Sequence, residues 1–387
     1  MDPLRFRVFD KTYNPLGAIT KPREAHVTIQ HNLPGSCQFT LDDNHRLAPA
    51  LGTAGARIVA EYRAPSGWKH LTSGVVAPSG QSGSGSSTGT FEVVDDKGLL
   101  WGLKGWPNPA GTILQQGDED TYYTQTGSAE NVVKNLVGVN IGHVNVPLTI
   151  PTNLGRGSTI TVSVRMHPLA DRLYPAVDLA GIGVTVYQSG AGLVLDVYVP
   201  EDRTDRPPLT EASGVVLEGR YSITPPTVTR VVVAGPGEGL ARKFARVINT
   251  AAEAAWGVSI EDVRDARDLK EELSPGVPNP DLQAELEARG QQTLDEGAAK
   301  STLSARLQES AYFRAGVAYW IGDLLPVQLR GMASPVAERV RAIDFDLTKA
   351  NGFVVTPHLG QDDTFESVTT RHIAALARGH RDQIVGR

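Results

Sequence analysis

The chain has 387 residues, enough for about two to four domains of ordinary size. Apolar residues make up 40% and charged residues 21%, so a normal core can be buried and wholesale disorder is excluded. A net charge of −6 gives no global attraction to nucleic acid or anionic membrane, and the single cysteine, Cys37, excludes an intrachain disulfide and a thiolate metal cluster.

Glycine (40) and proline (25) are enriched, which predicts a turn-rich chain of short strands. The opening MDPLRFRVFDKTY has neither a basic nor an apolar leader region, so the expectation is a product made and kept in the cytoplasm unless an assembly carries it outside. No apolar run approaches the about 18 residues that a membrane span needs.

Over residues 1–100, apolar and polar side chains alternate in Leu4–Val8, Ala25–Ile29, Cys37–Leu41 and Ile58–Tyr62, and Phe91–Val94 is a further strand. Period two puts one face in a core and the other in solvent or against a partner. Asn14-Pro15, Leu33-Pro34-Gly35 and Pro65-Ser66-Gly67 separate these runs as turns. Residues 79–90, SGQSGSGSSTGT, read as a low-complexity loop.

Ser128-Ala129-Glu130 followed by Val132, Val133, Leu136 and Val137 predicts a capped helix. Ile160–Met166 reads as a strand and Pro168–Leu179 as a short helix. Ile182–Tyr187 and Leu193–Val199 form a hairpin around residues 188–192, and Thr227–Ala234 is another strand. Residues 240–274 read as largely helical and then charged. The breaks at 275–280, PGVPNP, precede a helix capped by Asp281, carrying Leu282, Leu286 and Leu294 and interrupted near Gly290. Strands return at Leu303–Leu307, Leu325–Leu329, Val336–Leu347 and Phe353–Val355. The apolar parity slips between Ala342 and Ile343, which predicts a β-bulge. The tail, 363–380, can form a helix with Phe365, Val368, Ile373 and Leu376.

This order predicts an α+β, β-rich multidomain chain. Two barrel-like β domains, 1–105 and 301–360, flank a mixed α/β insertion at 106–235. A helical connecting region covers 236–300, and 361–387 is a C-terminal helix or tail.

The candidate chemistry is sparse. The strand Val228–Ala234, the turn Gly235-Pro236-Gly237-Glu238-Gly239, a helix from Leu240, a strand Val258–Ile260 and then Glu261 imitate a dinucleotide fingerprint. Arg242 stands where the third glycine belongs, however, and Pro236 removes one amide. The alternative is a tight strand-to-helix turn.

The histidines, His26, His31, His45, His70, His143, His167, His358, His372 and His380, show no paired ligand spacing. Asp118-Glu119-Asp120 reads as a solvated turn. Glu261, Asp262, Asp265 and Asp268, interleaved with Arg264 and Arg267, read as surface helix pairs. Trp68, Trp101, Trp106, Trp256 and Trp320 form no periodic stacking platform. No catalytic, cofactor-binding or metal-ligating residue is therefore assigned, and no enzyme activity is expected.

Four stretches, in order along residues 1–360, resemble the siphophage minor tail proteins that form the tail-tip hub, which are similar in turn to the baseplate hub proteins of contractile-tailed phages. They are Leu4–Asp10 with Gly17-Ala18-Ile19 and Ala48–Leu51 before Ala56–Glu61; Leu193–Glu201; Val231–Arg242; and Tyr312–Asp323 with the Ile343–Leu347 strand. Pro236 replaces an expected glycine and Ala318 an expected acid, while 79–90 and 361–387 have no counterpart.

The resemblance implies a non-enzymatic homotrimer at the virion tail tip, each subunit giving two similar barrels to a pseudo-six-fold ring. It implies as partners the distal tail protein, the tail tube, the tape measure protein and fibre or tip proteins, with phage DNA only in transit through an acidic lumen. Two other classes stay open: an adhesion or carbohydrate-binding tail protein, and a nucleotide-dependent enzyme using 228–261.

Overall fold

A computed structural model of the chain describes residues 2–42, 44–81, 88–116, 122–274 and 276–360. The acidic turn at 118–120, the tip of the 79–90 loop and the tail helix at 363–380, with His372 and His380, lie outside the described residues. The chain forms two compact units, residues 1–219 with 304–387, and residues 220–303.

The first unit opens with β1 (Leu4–Phe9), β2 (Pro15–Ile19), β3 (Glu24–Gln30), β4 (Leu33–Asp42), a short α1 (Ala48–Leu51), β5 (Arg57–Ala64), β6 (Gly67–Gln81) and β7 (Thr88–Asp95). These are the alternating runs of the sequence, and alternation sorts their side chains. Leu4, Phe6, Val8, Ala25, Val27, Cys37, Phe39, Leu41, Ile58 and Ala60 are all buried.

The insertion follows with α2 (Leu99–Gly102), β8 (Tyr123–Ser128), α3 (Ala129–Asn140), β9 (Leu148–Thr149), β10 (Thr159–Val164), α4 (Leu169–Leu179), β11 (Gly183–Ser189), β12 (Gly192–Tyr198) and β13 (Val216–Thr224). Helix α3 puts Val132, Val133, Leu136 and Val137 into one core with Leu169, Leu173 and Val177 of α4 and Val184, Val186, Leu195 and Val197 of the hairpin. Ser128 makes no side-chain cap bond to this helix. Instead Arg156 Nε and its backbone amide donate to the buried Glu130 carboxylate at 2.9 and 3.0 Å, and Lys134 pairs with it at 2.7 Å. The Arg156 bonds hold that carboxyl well below the usual range.

In the second unit, β14 (Arg230–Ala234), β15 (Phe244–Ile248), α5 (Thr250–Trp256), β16 (Glu261–Asp265), a short ladder of β17 (Glu272–Ser274) and β18 (Val277–Pro278), and α6 (Leu282–Glu296) follow in turn. The largely helical reading of 240–274 is corrected. The alternating run Phe244–Ile248 pairs antiparallel with β14, and only Thr250–Trp256 is α-helical there. Helix α6 is not interrupted at Gly290. A Cβ at that position would lie 2.6 Å from Val247 Cγ2, so glycine is what lets the helix seat on the strands. Leu286 is buried against Val231 and Val233 in this small core. Leu286→Ala is expected to cost this unit about 2–5 kcal/mol, read as earlier local unfolding by hydrogen exchange of β14 amides.

The chain returns to the first unit through β19 (Lys300–Leu307), then adds β20 (Leu324–Val327), β21 (Val336–Thr348) and β22 (Gly352–Leu359). The expected bulge is present as a register shift between Val340 and Ala342. Strand β21 pairs with β3 (Phe345 opposite Val27), so strands from both chain ends share one antiparallel sheet. Its order is β13-β19-β22-β21-β3-β4-β7-β6-β5-β1-β2, with β20 beside β21.

The sheet curls over itself. Phe6 of β1 stacks on Phe39 of β4 at 4.7 Å between ring centroids, and Tyr62 of β5 meets Phe345 of β21 at 5.0 Å. The expected closure into two barrels is not found. Among the described residues no pairing joins the two ends of the sheet, because β3 spends its second edge on β21 instead of closing the N-terminal strands on themselves. No helix among the described residues is long and apolar enough to cross a membrane.

Candidate functional site: a polar sheet face and a buried lock

The curled sheet buries one face and presents the other. On β3, β4, β7, β21 and β22 the presented positions are Glu24, His26, Thr28, Ser36, Gln38, Thr40, Asp42, Thr88, Thr90, Glu92, Val94, Asp344, Asp346, Thr348, Val354 and Thr356. They stand in cross-strand rows. Glu92, Gln38, His26, Asp346 and Val354 make one row, and Ser36, Thr28, Asp344 and Thr356 the next.

The rows are tied by side chains. His26 Nδ1 lies 2.8 Å from Asp346, Thr28 Oγ1 donates to Asp344 at 2.6 Å, and His358 Nε2 lies 2.7 Å from the same carboxylate. Within these paired registers no lysine or arginine stands on the face. Such a surface is hydrophilic and acid-bearing, and these cross-strand bonds tie its neighbouring strands together.

Two buried polar clusters fasten the insertion to the sheet. In the first, Arg57 donates to both oxygens of Asp96 at 2.6 Å and to Gln188 Oε1 at 2.8 Å. Ser73 Oγ donates to Asp96 at 2.6 Å and accepts from the Gln188 amide at 2.8 Å. Burial pushes the Asp96 carboxyl up, while the Arg57 charge and the Ser73 bond pull it back.

In the second cluster, at the β3–β4 turn, His31 Nδ1 lies 2.9 Å from Tyr198 OH and its Nε2 3.2 Å from Asp178. Arg341 of β21 donates to both Asp178 oxygens at 2.8 Å, and Asn32 Oδ1 accepts from the Val184 amide at 2.9 Å. Burial alone would raise the Asp178 carboxyl, but the bonds from His31 and Arg341 outweigh it and hold the group below its usual range.

These residues carried no signal in the sequence, because their partners lie from 23 to 167 positions away. The available cue was an arginine at the head of an apolar run, Arg57 before Ile58-Val59-Ala60.

The imidazoles give the lock a pH dependence. Burial holds His31 below the ordinary imidazole range against the raising effect of Asp178, and Arg339 and Arg341 add to the lowering. Burial likewise pushes His70 down to about 4. The unfolded chain takes up these protons below about pH 6.5 and the folded chain resists. Their stability is therefore full above about pH 6.5 and is lost as pH falls toward the folded values. The urea midpoint is expected to drop between about pH 7 and 5, with a shallower slope in a His31→Gln/His70→Phe double variant. A double variant with the full slope would refute this assignment.

The sequence candidates resolve into structural roles. After β14 the chain makes a hairpin into β15, not a helix. The Gly235 amide donates to Lys243 O, the Lys243 amide donates to Pro236 O, and Gly237 takes φ +94°. The Arg242 side chain fills the turn, donating to the carbonyls of Ala234 and Gly235. The helix N-terminus that a dinucleotide needs is absent from this turn, and the strand-to-helix reading is corrected with it.

Glu261, Asp262 and Asp265 sit on strand β16, not on a helix, where Asp265 pairs with Arg242 at 3.1 Å. Asp268 pairs with Arg289 at 2.7 Å. The described histidines are dispersed, as with His143 stacked on Trp106 at 3.7 Å and His167 beside Arg172 at 2.7 Å. Trp101 stacks on Tyr174, and Arg5 covers Trp68 at 4.2 Å.

A curled antiparallel sheet built from both chain ends, carrying an α/β insertion, is a fold of phage tail proteins. The 43 kDa tail protein of prophage MuSo2 from Shewanella oneidensis shares it, at 12% identity and a TM-score of 0.51, over 94% of this chain and 100% of that one. A tail protein from Neisseria meningitidis MC58 matches at 11% identity and a TM-score of 0.48 over 93% of this chain and 97% of that one. Prophage tail protein gp18 from Listeria monocytogenes EGD-e matches at 11% and 0.44 over 97% and 99%. Within this class, the chain belongs to the Siphovirus ReqiPepy6 Gp37-like proteins, whose family model matches residues 5–361. No curated protein matches the sequence.

Proposed function

We propose that the protein is a structural, non-enzymatic subunit of the tail-tip, or baseplate, hub of a siphovirus. In this reading it joins the tail tube and distal tail ring to tip and fibre proteins, meets the tape measure protein, and lines the channel through which DNA leaves. It works as a homotrimer in the virion, after synthesis in the host cytoplasm.

The observation that carries the reading is the continuous polar face over β22-β21-β3-β4-β7. It bears Glu24, Asp42, Glu92, Asp344 and Asp346, with a single guanidinium at its margin, Arg23, neutralised by Asp42 at 3.2 Å. A surface that must let a polyanion slide needs hydration and like charge and must avoid the cations that bind phosphate.

The native mass of the purified chain tests the assembly. A species of three times 41.4 kDa, seen as rings in negative stain, is the expected result. A chain that stays monomeric at high concentration and forms no ring in the virion would overturn the trimeric hub.

A further inference from the structure

The turn Lys349-Ala350-Asn351 joins β21 to β22, and Thr348 stands opposite Gly352 at its base. Asn351 is exposed and belongs to neither strand. Its backbone amide donates to Thr348 Oγ1 at 3.2 Å, and its carboxamide makes no hydrogen bond among the described residues. Gly352 is exposed with φ +69°, and a Cβ placed on it would meet nothing within 4 Å.

This is the one asparagine–glycine step in the chain. The backbone nitrogen that follows an asparagine can attack that asparagine's carboxamide carbon and close a five-membered ring. A side chain on the following residue crowds the approach, and glycine has none. Elsewhere the attack is blocked or hindered. Asn14, Asn108 and Asn279 precede proline, which has no N–H to give up. Asn32 and Asn140 are buried, with their carboxamides bonded. The other asparagines precede histidine, leucine, valine or threonine. Exposed turn tips are also where the chain most readily moves into a reactive geometry.

We propose that Asn351 converts spontaneously to aspartate and isoaspartate in the folded protein. The Gly352 amide gives up its proton and its nitrogen bonds to Asn351 Cγ. The Cγ–Nδ2 bond breaks, and Nδ2 leaves as ammonia with that proton, which closes a succinimide. Water then adds to one ring carbonyl and breaks its bond to the ring nitrogen. Opening at Cγ gives aspartate. Opening at the backbone carbonyl gives isoaspartate, with the main chain rerouted through the side-chain carbons. Nothing is oxidised or reduced. Either product adds one carboxylate to a chain of net charge −6. The turn joins strands that present Thr348 and Val354, so the new charge falls at the margin of the polar face. The site is independent of the hub reading.

The test is incubation of the folded full chain at neutral and mildly alkaline pH. Peptide mass spectrometry and an isoaspartate assay follow each asparagine with time. The peptide that holds Asn351 is expected to exchange amide for acid before any other, and faster at the higher pH, because the attacking nitrogen must lose its proton. Asn351→Gln is expected to lose the conversion, since its longer side chain must close a six-membered ring. That exposed side chain makes no contact the fold needs. A residue 351 that stays unchanged in the folded chain overturns the proposal, even where the chain unfolded in urea converts. Earlier conversion of another asparagine overturns it as well.

Discussion

Arg57→Ala is expected to cost the first unit about 3–5 kcal/mol, because it strands a buried carboxylate. The Arg57 and Asp96 side chains are only 7% and 6% exposed, so water cannot replace the lost guanidinium. Asp96 would keep the Ser73 hydroxyl but lose both Arg57 bonds, and burial already pushes its carboxyl up. Without the guanidinium nothing but the Ser73 bond would offset the upward push of burial, and Gln188 Oε1 would lose its donor as well. The energy is that of an uncompensated charge, not the net worth of the pair. Replacing both partners, as Arg57→Met/Asp96→Leu, should therefore recover most of the loss. Urea unfolding with a probe in the insertion core would read both effects. A double variant as unstable as Arg57→Ala would show that the pair itself, and not the stranded acid, holds the insertion.

On the proposal that the polar face lines the DNA path, Glu24→Lys/Glu92→Lys/Asp346→Lys is expected to slow or trap DNA ejection. Each substitution changes the charge by two, which takes the chain from −6 to neutral. Glu24 and Glu92 are exposed and can be reversed without breaking the core, and Asp346 loses only its contact with the exposed His26. Asp344 is left alone because it ties Thr28 and His358 together. Each lysine that meets a phosphate releases counterions, so DNA binding by the variant should weaken with salt by about 0.9 in log–log slope per contact. Ejection from phage carrying the variant is the measurement. Unchanged ejection, with the variant incorporated into the tail, would remove this face from the DNA path.

The face was legible in the sequence because alternation is local. Glu24, His26 and Thr28 between Ala25, Val27 and Ile29 can only point opposite to them on an extended strand. The same logic located the β11–β12 hairpin, the bulge before Ile343 and the leucine face of α6. It failed at 240–248, where the short run Phe244–Ile248 supports either helix or strand until a partner strand supplies hydrogen bonds. It failed again at Gly290, where glycine marks close approach of a helix to a sheet and not a break.

By itself, then, the amino-acid order determined most of the strands and helices outside 240–274, which side of each is apolar, and that the chain belongs with tail proteins. Only the tertiary structure decided that β21 joins β3 so that both chain ends share one sheet. It alone placed Arg57 on Asp96 and His31 on Asp178. The reason is range. Backbone geometry sorts side chains within a few residues, whereas strand partnership and buried ion pairs bring together groups tens to hundreds of positions apart, whose meeting is set by how the whole core closes.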